Sequence, residues 1–571
     1  MTHLVNDPVD FPTELVEGFV RSNWRHVRPV YGGVVRATES KPGKVAVITG
    51  GGLGHYPGFM GWVGPGLADG AVTGKVFASP AAARAHSVAK AADHGGGILI
   101  AFLNYSGDAL QFGMAAELLK ADGFDVRTAV VTDDIASAPP TEAAKRRGIA
   151  GGLAVLKVTS AAAEAGLSLD DVTAICNRAN SRTRTCGIAF SGCTLPGASE
   201  PLFEVPNGKM AVGLGVHGEP GIYETDLGTA DDVAQLLVDK LLSDVPEGAG
   251  KRVVALLNGL GSAKYEELFV TFASVSAKLE DAGLEIVDGQ VGEFMTSLDM
   301  GGLSLTLMWV DDELESLWLA PCDSPAFSRP ALMDPPLDAS VTFNTDPEPL
   351  TVSRQGSQAS QAAAAQIAAA LARITDVLNE NEIRLGNLDA VAGDGDHGAG
   401  MARGSAAAAD AAQALVSQGA GVQTTLAGAG LRWSEQSGGA SGALWGAALT
   451  AAGNFLGDER AVDSAAVIGA VRAFAGSITS LGGAQVGDKT IVDALEPFAD
   501  VLEQSILAGE PLSDAWAKAA TAAEKAAADT AHLVPRMGRA RVLGNKSVGS
   551  PDPGAVSFAL AAAAVVDDST P

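Results

Sequence analysis

Beyond residue 358 the chain carries no strand-length apolar run. It carries instead alanine-rich segments of helical length, over about 358–379, 401–416, 421–435, 441–454, 461–477, 489–506, 512–529 and 554–566, separated by glycine-rich breaks. Alanine loses no side-chain freedom in a helix, so such segments favour helix over any sheet. The pattern predicts an all-α domain over 359–571 with about eight helices and its chemistry on the connecting loops.

The earlier part reads differently. KVAVIT (44–49), GILIAFL (97–103) and VRTAVVTDD (126–134) are β-branched apolar runs, and helical stretches near 80–93 and 109–120 lie between them. Ser79-Pro80 reads as the opening of the first of these helices. This alternation predicts a parallel sheet with helices on its faces, whose ligands bind at the carboxyl ends of the strands. GGGLGHYPG (50–58) and NYSGD (104–108) fall at such ends. A second α/β part begins near 187, with strands at 210–216, 252–258 and 303–310 and helices near 229–242 and 264–281. The stretch 335–358 is rich in proline, serine and threonine without periodicity, which reads as a linker. The expected organisation is therefore multidomain: a two-part α/β unit over 1–334, a linker over 335–358 and an all-α domain over 359–571.

Of 571 residues, 47 % are hydrophobic and 19 % charged, enough apolar content for several cores. The formal net charge of -28 repels a nucleic-acid backbone as a whole, so no nucleic-acid partner is expected. It does not exclude a nucleotide, because one loop and one metal ion can reverse the local sign. Cys176, Cys186, Cys193 and Cys322 form no C-x-x-C pair, so buried thiols are expected rather than a disulfide framework or zinc site. The start, MTHLVNDPVDF, has neither a basic nor an apolar leader region, and the run near 555–566 is too short to span a bilayer. A cytoplasmic protein with no membrane partner is the expectation.

LDAVAGDGDHG (388–398) places Asp389, Asp394 and Asp396 within eight positions. Three hard oxygen ligands among glycines suit Mg²⁺, which keeps waters and takes its other ligands from phosphate. Taken alone, the D-G pairs fit a solvated turn equally well, and the EF-hand spacing fails for want of a glutamate. SGGASGALWG (437–446) runs small residues into a helix, the makeup of an anion site, and equally of tight packing. VGDKTIVDALEP (486–497) offers Asp488, Lys489 and Thr490, and 537–555 offers Arg539, Arg541 and a D-P-G turn. Acids for metal and bases for phosphate make a divided site, against which stands ordinary surface salt-bridging.

The α/β part has its own set. His55 lies on the glycine turn of GGGLGHYPG, Asp108 closes NYSGD, and His217 and Glu219 lie in VHGEPG, each after a strand. An Asp–His set of this kind serves as base and nucleophile or as orienting donors. The chain has eight histidines, so two of them on strand-end loops point to a site.

Together, GGGLGHYPG, NYSGD and VGLGVHGEPG resemble the substrate-binding half of the dihydroxyacetone kinase family. LDAVAGDGDHG, SGGASG, GDKT and GRARVLGNKSVGSPDPGA resemble its nucleotide-binding half, in family order over nearly the whole chain. The resemblance implies a ketose-binding α/β unit followed by an eight-helix barrel with nucleotide at its mouth. It implies that His217 adds to the substrate ketone as a covalent hemiaminal, that Asp108 takes the proton of the attacking hydroxyl, and that His55 holds the substrate and transition-state charge. Gly52, Leu53 and Gly54 would line the substrate by their backbone. Asp389, Asp394 and Asp396 would hold two Mg²⁺ ions on the phosphates of ATP. His397, Gly398, Ser437, Gly438, Gly439, Ala440, Ser441, Arg539, Asp552, Pro553 and Gly554 would contact the nucleotide. Both halves on one chain resemble the ATP-dependent branch, and the family implies a homodimer.

Some positions depart from the family pattern. Leu103 stands where many members have lysine, Tyr56 where a glutamate is usual, and Leu53 where a small polar residue is usual. A lost cation beside the ketose brings a four-carbon ketose such as erythrulose forward beside dihydroxyacetone. Two rival readings remain: a cyclising FAD-AMP lyase on the same nucleotide domain, and a non-catalytic ketose sensor.

Overall fold

A computed structural model describes residues 4–330, 349–391, 393–537 and 544–566. The chain divides into two compact units, Met1–Leu337 and Asp338–Pro571.

The first unit holds two six-stranded sheets. The first comprises β1 (Val27–Val30), β2 (Gly33–Arg36), β3 (Ala46–Leu53), β4 (Gly70–Val76), β5 (Ile98–Leu103) and β6 (Val126–Val131), in the order β1-β2-β4-β3-β5-β6. Strands β4, β3, β5 and β6 run parallel, with Ala101 opposite Ala129, and β1 and β2 add an antiparallel edge. The second comprises β7 (Thr183–Ala189), β8 (Lys209–Val212), β9 (Tyr223–Asp226), β10 (Arg252–Gly259), β11 (Glu285–Gly292) and β12 (Gly302–Trp309), in the order β11-β10-β12-β7-β8-β9. Only its β10–β11 pair is parallel.

Helices lie on both faces of each sheet. After α1 (Phe11–Ser22), α2 (Ala82–Ala92) and α3 (Ser106–Ala121) cover the outer face of the first sheet. Next come α4 (Gly151–Glu164) and α5 (Leu169–Ser181), then α6 (Ala230–Leu242) and α7 (Tyr265–Asp281) on the outer face of the second sheet, and α8 (Asp312–Leu319). One core joins Val47, Leu99 and Val131 of the first sheet, Leu153 to Ala163 of α4, and Val254, Leu256 and Met308 of the second. The unit is thus five layers deep, with α4 and α5 in the middle. Of the 14 residues of α4, 13 are buried. Such a helix shows no polar stripe, so periodicity does not announce it. Even Lys157 is inside; burial lowers its amine to about 8, and Nζ donates to Leu317 O at 2.9 Å.

The Ser79-Pro80 pair precedes α2 rather than capping it. Gln111 Oε1 accepts from Ala82 N at 2.8 Å instead.

The second unit is helical: among the described residues, α9 (Gln358–Glu380), α10 (Glu382–Asp389), α11 (His397–Ser417), α12 (Val422–Ser437), α13 (Gly439–Leu456), α14 (Ser464–Gly482), α15 (Val492–Leu507), α16 (Leu512–Asp529) and α17 (Pro553–Ala564). Alanines let the helices approach closely, and Trp433 stacks on Trp445 at 4.6 Å between centroids. An apolar cavity of about 580 Å³ lies among Leu371, Leu449, Phe474, Trp516 and Phe558. Helix α14 is long and apolar enough to cross a bilayer by length and composition, which the run near 555–566 is not. Its Val467, Val471 and Phe474 line the cavity, which gives those side chains an apolar setting within the bundle. The expected linker lies largely outside the described residues, as does Arg539.

Candidate active site

The first cluster draws on both sheets of the α/β unit. His55 follows β3, and Asp108 lies in the first turn of α3, just after β5. His217 follows β8 on the 213–219 loop. His55 Nε2 and His217 Nε2 are 3.0 Å apart, so residues 162 positions apart in sequence meet directly. Phe77 stacks on the His55 ring at 5.0 Å and meets the His217 ring edge-on at 4.9 Å. Gly54 has φ +103°, a conformation natural only to glycine, and a Cβ there would lie 2.6 Å from the Phe77 ring. Gly52 and Leu53 end β3 beside it, with the Leu53 side chain in the core.

The partners of the rings count their protons. Thr296 O, 2.8 Å from His55 Nδ1, can only accept, so Nδ1 donates. Burial alone would raise the Glu219 carboxyl, but its bonds to the His217 ring and backbone hold it at about 2. It accepts from His217 Nδ1 and from His217 N, each at 3.0 Å. Both Nδ1 atoms therefore carry hydrogen, and each neutral ring would turn a lone pair on Nε2 toward the other. A contact of 3.0 Å between them requires one proton in between. Burial, with repulsion from His217, lowers the His55 ring to about 3, so His55 is the accepting ring.

Asp108 is buried, and its Oδ1 has no hydrogen-bond partner. Burial raises its carboxyl to about 6, against the Ser79 hydroxyl bond and the pull of His217. A buried, unpaired acceptor of that basicity suits a general base. The Leu103 side chain is buried in the core, beside Gly148 and Gly152.

The helical unit brings the three aspartates together. One carboxylate oxygen each of Asp389, Asp394 and Asp396 lies within 4.8 Å of the others, with Asp394 and Asp396 exposed. Asp389 ends α10, and its Oδ2 accepts from Gly395 N at 2.9 Å, which folds the loop back on itself. Hard, clustered, water-accessible oxygens fit Mg²⁺. His397 opens α11; its Nε2 meets Ser557 Oγ at 2.9 Å and its Nδ1 meets Ser441 Oγ at 3.3 Å. The ring thus joins the acidic loop to α13 and α17. Gly398 is buried in van der Waals overlap distance of α10, so a side chain there has no room.

Ser437 ends α12, Gly438 separates it from α13, and Gly439, Ala440 and Ser441 form the first turn of α13. The backbone N–H groups of that first turn have no intrahelical acceptor. Ser437 Oγ is buried with no hydrogen-bond partner. Asp552 caps α17 through Ala555 N at 2.7 Å, with Pro553 and Gly554 as the first helical residues. Burial pushes the Asp552 carboxyl up to about 7. Lys489 is not an exposed phosphate hook: its Nζ donates to Ser547 O at 2.6 Å and to Leu533 O at 3.3 Å.

Sequence reasoning did not single out Phe77, Asp134, Arg147 or Thr296, and it read Ser79 only as the opening of a helix. Asp134 sits beyond the carboxyl end of β6, where the strand-end rule that found Asp108 applies. Thr296 acts through a backbone carbonyl, which no side-chain pattern reveals.

Residues 17–326 match the Dak1 domain and residues 391–567 the DAK2 domain. The chain is 51 % identical to the L-erythrulose kinase of Pectobacterium atrosepticum, over 100 % of this chain and 97 % of that one. It is 48 % identical to the D-erythrulose kinase of Mycolicibacterium smegmatis, over 99 % and 98 % respectively. The crystal structure of the dihydroxyacetone kinase from C. freundii in complex with AMP-PNP and Mg²⁺ matches with a TM-score of 0.61 at 30 % identity, covering 99 % of both chains. With a Dak1 domain, a DAK2 domain and such relatives along its whole length, the chain belongs to the dihydroxyacetone kinase family.

Proposed function

We propose that the chain is an ATP- and Mg²⁺-dependent kinase that phosphorylates a terminal hydroxyl of a short ketose, a tetrulose such as erythrulose or dihydroxyacetone itself. The ketose is held as a covalent hemiaminal on His217. The observation that carries this reading is the His55–His217 contact, fixed at both outer nitrogens by acceptors. The proton between the rings leaves Nε2 of His217, whose lone pair bonds to the ketone carbon. The carbonyl π pair moves to oxygen, which takes that proton, and His55 holds the new hydroxyl. Asp108 accepts the proton of the terminal hydroxyl as that oxygen attacks the γ-phosphorus of ATP, whose bond to the bridging oxygen breaks with ADP as the leaving group. Asp389, Asp394 and Asp396 hold Mg²⁺, which neutralises charge on the phosphates. The first turn of α13, Ser437 and the Asp552-Pro553-Gly554 turn hold the nucleotide at the mouth of an eight-helix barrel, and Arg539 joins them. The relatives near 50 % identity are named as kinases, which favours this reading over the lyase and the sensor. Relatives named for each enantiomer of erythrulose stand at similar identity, so both belong in the assay.

ADP release with Mg²⁺ and ATP, against dihydroxyacetone, both erythruloses and glycerol, tests the proposal. Turnover of a ketose with none of glycerol is expected, since glycerol has no carbonyl to capture. Silence on every ketose overturns it. A second expectation concerns pH. Asp108 must be ionised to act as base, and its carboxyl sits at about 6. The ketose kcat/KM, which reports the free enzyme, should be half-maximal near that pH and fall about tenfold per unit below it. An acid limb near pH 4 would remove Asp108 from the role.

A further inference from the structure

We infer that Arg147, anchored by Asp134, is a positioning residue for His217 that acts through Glu219. This rests on the proposed role of His217 as the group that captures the ketone.

Arg147 lies on the loop between β6 and α4, distant in sequence from the 213–219 loop. Its Nε donates to Asp134 Oδ2 at 2.9 Å, and its Nη2 donates to Gly213 O at 3.1 Å. Its backbone N donates to Ser137 Oγ at 2.9 Å. Asp134 is pinned in turn by Ala136 N on Oδ1 at 3.0 Å and is almost wholly buried. So held, the guanidinium presents Nη1 to Glu219 Oε2 at 3.7 Å. Gly215 lies beneath this meeting: a Cβ there would collide with both Glu219 Oε2 and Arg147 Nη1. The backbone is bare where the carboxylate and the guanidinium approach each other.

The consequence falls on one hydrogen. Glu219 holds His217 by both its backbone N and its Nδ1. While that carboxylate stays in place, Nδ1 keeps its hydrogen, and once the proton shared with His55 has left, Nε2 is the nitrogen that presents a lone pair. Without Arg147, Glu219 loses the cation that faces it and is free to turn toward water, since its side chain is 30 % exposed. The ring then populates both tautomers, and the one with hydrogen on Nε2 and a lone pair on Nδ1 cannot attack the ketone from Nε2. Arg147 touches neither ring in this arrangement. Its effect is on the share of molecules ready for capture.

The test uses the full chain as Arg147→Met and Arg147→Lys, with Asp134→Asn as a third variant that keeps the cation and removes its anchor. Two readouts are taken. The first is the ¹⁵N spectrum of histidine-labelled protein without substrate, with His217 assigned by its loss in His217→Gln. Read at a pH where the proton between the rings has left, wild type should show a protonated Nδ1 and a bare Nε2, and R147M averaged shifts of two tautomers. The second is steady-state kinetics. The ketose KM should rise roughly 10- to 100-fold in R147M, the range seen when outer-shell partners are removed, with kcat and the KM for ATP little changed. R147K should recover part of the loss, because it keeps the charge without the fork. If R147M does not fold, D134N should show the same tautomer averaging in weaker form. His217 shifts identical to wild type in the folded variants would overturn the inference. The spectrum is read without ketose or ATP, so it stands apart from the functional reading: a wild type that phosphorylates no ketose sinks the function and leaves this readout intact.

Discussion

The Asp396→Asn protein is expected to fold normally and to lose ATP turnover by on the order of 10³-fold. Asp396 is exposed and makes no side-chain cap on α11, so its carboxylate carries little of the fold. What it does carry is one of three oxygens clustered within 4.8 Å. Without a cation, three carboxylates so close repel one another, and removing one charge relieves the loop. With Mg²⁺ the balance reverses, and the amide supplies a poorer ligand. Two measurements separate these effects. ADP release should fall, and the rise in melting temperature on adding Mg²⁺ and ADP, present in wild type by mass action, should vanish in the variant. Full turnover in the variant would remove the metal role from this loop.

For His217→Gln, the expected result is a loss in ketose kcat/KM on the order of 10³-fold or more, because covalent capture turns a loose encounter into a held one. Glutamine can still bond to Glu219, but it has no lone pair able to add to a ketone. The melting shift with Mg²⁺ and ADP should stay as in wild type, since the acidic loop belongs to the other compact unit. The preference for ketose over glycerol should collapse as well. A variant whose ketose kcat/KM equals that of wild type would end the hemiaminal mechanism.

Much of this was legible in the sequence, and the reasons for the gaps are physical. Strands β3 and β5 stand out because both faces are covered and their residues are buried and largely apolar, whereas the edge strand β6 is so only in part. His55, Asp108 and the 213–219 loop then follow from the rule that sites gather at strand ends. Helix α4 was invisible because a helix buried all round has no polar face to set a period. Ser79 reads as a helix cap, but a side chain elsewhere, Gln111, took that place, and Ser79 turned to Asp108. Lys489 reads as a phosphate cation, yet its ammonium is spent on two carbonyls from segments more than 40 positions away. Helix α10 is short and carries little alanine, so the alanine rule passed over the element that presents Asp389. Arg147 is one of 39 basic residues, and only the fold brings it to Glu219.

The middle layer of the α/β unit has a thermal corollary. Because α4 and α5 share one core with both sheets, neither sheet owns a complete hydrophobic interior. A chain severed near residue 187 would leave Val254, Leu256 and Met308 wet on one piece and Leu153, Val155 and Val158 wet on the other. Neither piece should fold alone, and the intact unit should melt in a single cooperative step. His55 hangs from one sheet and His217 from the other, so the imidazole contact should be lost within that same step rather than loosening ahead of it.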